Sequence, residues 1–272
     1  MPILVSHGLS IPTIRSDRFI QAVSALNNDG FARALSFSGY AINVDRQNLI
    51  GAWFPGEFSG ASCIDNSEQQ NHATACSLSV PDVGFGGIMA ASFNGASAHV
   101  SIYSTAFNTD FNGNELTLFI VARAGSIGNW TDSTVRNLLH LAVSASNDLF
   151  LTKSNTNYQL RVSYTASGAT AKVVNNTLAS TTIPNGFFSL AITVSATASQ
   201  MIAFYNGEQY GSTQTGLLNW SGALSNALSV IGANAVTGTN PWIGWIGATL
   251  VWKKALEPNT IRNLHRYTGA GV

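Results

Sequence analysis

The residues that could do chemistry in this chain are few and widely spaced. Cys63 and Cys76 are its only cysteines, with His72 between them. Three ligands at so loose a spacing fall short of a zinc pattern. The pair is a candidate disulfide closing a short loop, but two isolated thiols in a chain without a secretion signal are more often reduced. No Gly-x-Ser-x-Gly elbow, His-Glu-x-x-His helix or phosphate loop occurs, and the five histidines are scattered. Sugar binding would need an aromatic platform beside convergent amides and hydroxyls. Trp130, Trp220 and Trp242 lie in or beside loop-like stretches (GNWTD, LNWSG, TNPWIG) and are the candidates. Their competing role is to seal the ends of a core. Asn129, Asn175 and Asn219 begin glycosylation sequons, which so Asn- and Thr-rich a chain produces by accident.

The elements that must position these residues are strands. Only 10% of the 272 residues are charged and the formal net charge is +0, so nothing favours nucleic acid or an acidic membrane surface. Gly, Ser, Thr, Asn and Ala fill the polar positions, which suits strands and tight turns. No window reaches the ~20 apolar residues of a membrane span. The N-terminus lacks a basic start and a cleavage site, so synthesis in the cytoplasm without a signal peptide is expected.

Residues 1–48 read as an arm with a short helix. Ser16 caps a stripe of Phe19, Ile20, Val23 and Leu26, and a strand-like stretch runs from Ala34 to Val44. An apolar arm must cover its own domain or a neighbour. Beyond it, Leu116–Arg123, Val135–Val143, Asp148–Lys153, Tyr158–Tyr164 and Phe187–Ser195 read as strands. In the last, Phe188, Leu190, Ile192 and Val194 oppose Ser189, Ala191 and Thr193. Asn206-Gly207 predicts a two-residue hairpin turn. From Trp242 to Trp252 apolar residues occupy both faces, predicting a strand covered on both sides. Pro258 then opens a short helix with Ile261, Leu264 and Tyr267 at helical spacing, closed by Gly269. The predicted class is all-β: a two-sheet antiparallel β-sandwich over 49–272 with a short C-terminal helix.

Several segments, in order, resemble laminin G-like modules of the concanavalin A-like lectin/glucanase superfamily. These are LIGAWFPGEFSG, the loop from Asp65-Asn66-Ser67 to Asn71-His72, SFNGASAHVSI, the hairpin at Asn206-Gly207, LSVIGA, and the final strand ending in Val251-Trp252. The resemblance implies a concanavalin A-like jelly roll. It implies no glucanase: none of Glu57, Glu68, Glu115, Glu208 and Glu257 begins the Glu-x-Asp-x-x-Glu strand of those enzymes. Calcium, which such modules often hold, needs 6–8 oxygens. Here Asn94 replaces the usual Asp, Ala98-His99 stand at an acidic pair and Gly247-Ala248 at another, leaving Asp65, Asp82 and Asp110 as weak candidates and no cofactor expected. Asp65 and Asp82 have turn chemistry as an alternative role. Asn94 and His99 join the tryptophans as glycan candidates.

Two functions follow as expectations. The first is a non-enzymatic structural or attachment protein on a virion, such as that of a bacteriophage, docked onto other coat proteins through the arm and assembled as a homo-oligomer. The second is a carbohydrate-binding lectin module at a bacterial surface or outside the cell.

Overall fold

A computed structural model describes residues 37–57, 61–76, 78, 82–83, 89–178 and 186–270; the expected helix after Ser16 lies outside them. Two antiparallel sheets pack face to face. The first runs β14 (Glu208–Gln209), β13 (Gln200–Tyr205), β12 (Phe188–Ser195), β7 (Glu115–Ala124), β17 (Ile243–Trp252), β5 (Met89–Asn94) and β4 (Asp82–Val83). On the same sheet β1 (Leu49–Trp53) pairs with β17 and β15 (Gln214–Thr215) with β13. The second runs β11 (Lys172–Thr177), β10 (Gln159–Thr165), β9 (Asn147–Lys153), β8 (Arg136–Ser144), β16 (Val230–Ile231), β6 (His99–Ser101), β3 (Ala73–Cys76) and β2 (Ser62–Cys63). Short helices α1 (Thr105–Asp110) and α2 (Gly128–Thr131) sit in connections, and α3 (Pro258–Thr268) closes the chain.

Period-2 patterning explains the layers. Leu116, Leu118, Ile120 and Ala122 of β7 and Phe188, Leu190, Ile192 and Val194 of β12 point between the sheets, where Leu149 and Leu151 of β9 and Leu160 and Val162 of β10 meet them. The opposite faces of β7, β12 and β17 are apolar too: Phe119, Val121, Ala191, Leu250 and Trp252 lie under a second cluster. The cover is α3, through Ile261 and Leu264, together with Phe37 and Ala41. The central strands of the first sheet are therefore buried on both faces, as the sequence of β17 predicts. Pro258 occupies the first turn of α3, Gly269 ends it at φ 65°, and the Asn206-Gly207 turn has positive φ at both residues.

Two expectations change. Residues 37–41 are helical, not part of an Ala34–Val44 strand. Phe37, Tyr40, Ala41 and Val44 fall at i, i+3, i+4 and i+7, and this helical face packs on the first sheet. Residues 37–48 thus join the sandwich: Trp252 Nε1 donates to Val44 O at 2.7 Å, and Tyr40 stacks on Tyr267 with ring centroids 3.9 Å apart. The candidate disulfide is absent, because Cys63 is a free buried thiol. Cys63 pairs across the ladder with Ala73, and Cys76 lies three residues further along β3, opposite His99. About 10 Å of strand separates the two backbone positions, beyond disulfide reach.

Candidate functional site

Among the described residues no helix covers the second sheet. On its outer face β8, β9 and β10 floor a groove of ≈ 190 Å³. Alternation puts Phe150 and Thr152 of β9 outward, each one residue after the core residues Leu149 and Leu151, and Arg161 of β10 outward between Leu160 and Val162. Asn137 of β8 completes the floor. Val135, Ser154 and Asn155 form one end, and Asn234 and Asn240 reach over from the loop after β16.

That loop is tied down from below. Asn137 N donates to Asn240 O at 2.9 Å and Asn234 N to Thr239 O at 2.7 Å. His140 bridges the loop to β9, with Nδ1 2.5 Å from Asn234 O and Nε2 2.7 Å from Asp148 Oδ1. At the Val135 end, Lys153 is buried to 1% exposure, and its ammonium donates to Asp132 Oδ1 at 2.9 Å and Thr134 O at 3.1 Å. Arg136 Nε donates to Asp132 Oδ2 at 2.9 Å. Burial pushes the Asp132 carboxyl up, but Arg136 and Lys153 outweigh it and hold the group below the usual carboxylate range.

Within this frame several polar groups are unspent. The side-chain amides of Asn137, Asn155, Asn234 and Asn240 make no hydrogen bond to the described residues. The Arg161 guanidinium lies over the Phe150 ring at 5.0 Å from its centroid, and its buried Nε has no partner. Buried polar groups are normally satisfied internally. Of this set Asn137 is buried and Asn234 and Arg161 are half-buried, while Asn155 and Asn240 are exposed at the rim of the groove. Thr152 and Ser154 differ: their hydroxyls donate to Arg136 O at 2.6 Å and to Gln159 Oε1 at 2.7 Å.

The residues singled out by sequence are placed elsewhere in the fold. Trp130, Trp220 and Trp242 are 1%, 6% and 1% exposed, so none offers a face to a sugar. Trp130 and Trp242 pack on Phe188, and Trp220 packs between Phe111 and Tyr164. Indole rings that large stabilise the core more than a loop can hold them exposed. Asn94 is a turn residue whose Oδ1 accepts from the backbone of Ala96, Ser97 and Ala98, and His99 is buried with Nδ1 2.8 Å from Ser97 O. Asp65 is spent on its own loop: Oδ1 accepts from Ala52 N and Ser67 N, Oδ2 from Ser67 Oγ and Asn71 N. Asp110 faces Lys253 Nζ at 3.3 Å, and the Asp82 side chain lies outside the described residues. Among the described residues no three of His, Cys, Asp and Glu group around a common point. The groove residues carried a sequence signal that went unread. In NDLFLTK and QLRVSYT the inward residues mark the strands, and the outward Phe150 and Arg161 mark the site.

Layer order and topology define a two-sheet antiparallel β-sandwich. No family model matches the sequence, and no curated protein does. Solved structures match the fold. The botulinum neurotoxin serotype D binding domain superposes with a TM-score of 0.59 at 12% identity, over 81% of this chain and 52% of that one. The serotype G binding domain gives 0.58 at 13%, over 80% and 51%. A Trypanosoma rangeli sialidase in complex with sialic acid gives 0.57 at 13%, over 80% and 33%. The chain therefore spans about half the length of the toxin domains and a third of the sialidase.

Proposed function

We propose that this chain is a carbohydrate-binding module whose glycan lies in the groove on the open face of the second sheet. The observation that carries this reading is the set of unspent amides, Asn137, Asn155, Asn234 and Asn240, gathered around the Phe150 ring. An amide offers a donor and an acceptor side by side, which matches the paired hydroxyls of a pyranose, while the ring supplies an apolar contact. The neighbours are toxin binding domains and a sialidase complexed with sialic acid, which supports binding as the role; fold alone does not carry function. Among the described residues the groove lining holds no Asp or Glu. A module of this kind works where glycans are, at a cell surface or outside the cell. The virion reading, with its docking arm, gains nothing from the fold.

A glycan array followed by NMR titration of the hits tests the proposal. Asn137→Ala and Phe150→Ala should each weaken binding by about fivefold or more while leaving the melting temperature within a few degrees. Absence of any glycan above background, or hits that both variants bind as tightly as the parent, would sink it.

A further inference from the structure

We infer that the groove is built for an acidic sugar, whose carboxylate is held by Arg161. The inference rests on the glycan-binding reading and adds the charge of the ligand. Its basis is an imbalance in the groove. Arg161 is the sole charged residue in the lining, and among the described residues no carboxylate lies within ion-pair distance of it. The nearby basic side chains are different: Arg136 and Lys153 share the Asp132 carboxylate, and the His140 ring faces Asp148. Among the described residues the guanidinium has neither an ion-pair nor a hydrogen-bond partner, and its Nε is shut away from water, so the protein leaves its donors unmet.

The geometry selects the complement. Arg161 is braced by Phe150, whose ring lies under the guanidinium carbon, and Phe150 is in turn flanked edge-on by His140 at 6.4 Å between ring centroids. Bracing fixes the plane of the fork. Such a fork pairs with a planar oxyanion through two parallel N–H···O bonds, and a carboxylate fits this end-on with the two terminal nitrogens. Around it the partners offered are neutral amides, which suit hydroxyls. A carboxylate attached to a ring of hydroxyls is a uronic or sialic acid. An acidic peptide would satisfy Arg161 but offers one backbone donor and one acceptor per residue against the several hydroxyls of each sugar ring, so the sugar is favoured.

The test titrates the full chain by NMR with trigalacturonate, its carboxyl-reduced trisaccharide, sialyllactose, lactose and triglutamate. The expected result is that at least one acidic sugar binds about tenfold to a hundredfold tighter than its neutral counterpart, the range of a charge-assisted hydrogen bond in such a site. Arg161→Gln should erase that preference, bringing the acidic sugar down to the affinity of its neutral counterpart, while an unchanged melting temperature and unshifted amide resonances away from the groove report an intact fold. Arg161→Lys, a point charge without the fork, should recover only part of it. Equal binding of acidic and neutral sugars overturns the inference and leaves the glycan reading standing. Binding of no sugar removes both. Triglutamate binding as tightly as trigalacturonate, or a preference that Arg161→Gln retains, overturns the inference by placing the recognised charge outside a sugar or outside Arg161.

Discussion

Single side chains hold parts of this fold that no strand pairing explains. Asp65 organises the loop between β2 and β3 through backbone N–H groups of Ala52, Ser67 and Asn71. Asp65→Ala removes the acceptor from all of them and leaves buried donors unpaired, a loss of about 2–4 kcal/mol by urea unfolding. Because both oxygens are spent, added calcium should leave the melting temperature unchanged. Cys63 gives a chemical readout: burial, with Asp65 and Glu57 nearby, pushes its thiol up to about 12. In a Cys76→Ser background the native protein should resist a disulfide exchange reagent at pH 8 and react once denatured. Fast reaction of the native state would show that β2 opens readily.

At the scale of elements, the attachment of α3 to the first sheet should depend on pH. His265 Nδ1 lies 3.0 Å from Ser189 Oγ, and the side chain is half-enclosed between helix and β12. Burial holds its pKa below the usual 6.5, with Glu208 pulling the other way; Arg262 pairs with Glu208 on the same side. The unfolded chain therefore binds a proton that the folded one refuses. Stability from this group is intact above pH ~6.5 and declines as pH falls towards the lower folded value. Melts between pH 7 and 5 should show the slope, and His265→Gln should flatten it. Below the groove, Asp132→Ala strands the buried Lys153 ammonium and should cost ~3 kcal/mol, whereas Lys153→Met should cost less. Thermal or urea melts of the two variants check the order.

What could be read from the sequence follows from periodicity. Strands β7, β12 and β17, the Asn206-Gly207 turn and α3 all announce themselves, because alternation, paired positive-φ residues and Pro-to-Gly framing are local signals. The turn at 37–41 was misread because two spacings overlap in so short a stretch, and the sheet it packs on decided between them. The groove was missed for another reason. Its parts come from β8, β9, β10 and the loop after β16, adjacent only once the sheet exists. The tryptophans drew attention as loop residues, yet ring size made them core.

For the whole molecule, layer order fixes where the chain can be cut. A chain begun at residue 49 loses Phe37 and Ala41 from above Phe119 and gives up the Trp252 bond to Val44. Exposing that face should lower the melting temperature by roughly ten degrees or more, since a buried Phe alone contributes about 3 kcal/mol. A chain that melts unchanged would mean the cover is dispensable. The same arrangement gives the sandwich a back and a front. Residue 37 enters over the shielded sheet, while the groove opens from the other, with the thickness of both sheets between them. A partner docked over Tyr40 and Tyr267 would hold the body from behind and leave the groove free, so the two contacts would not compete for one surface.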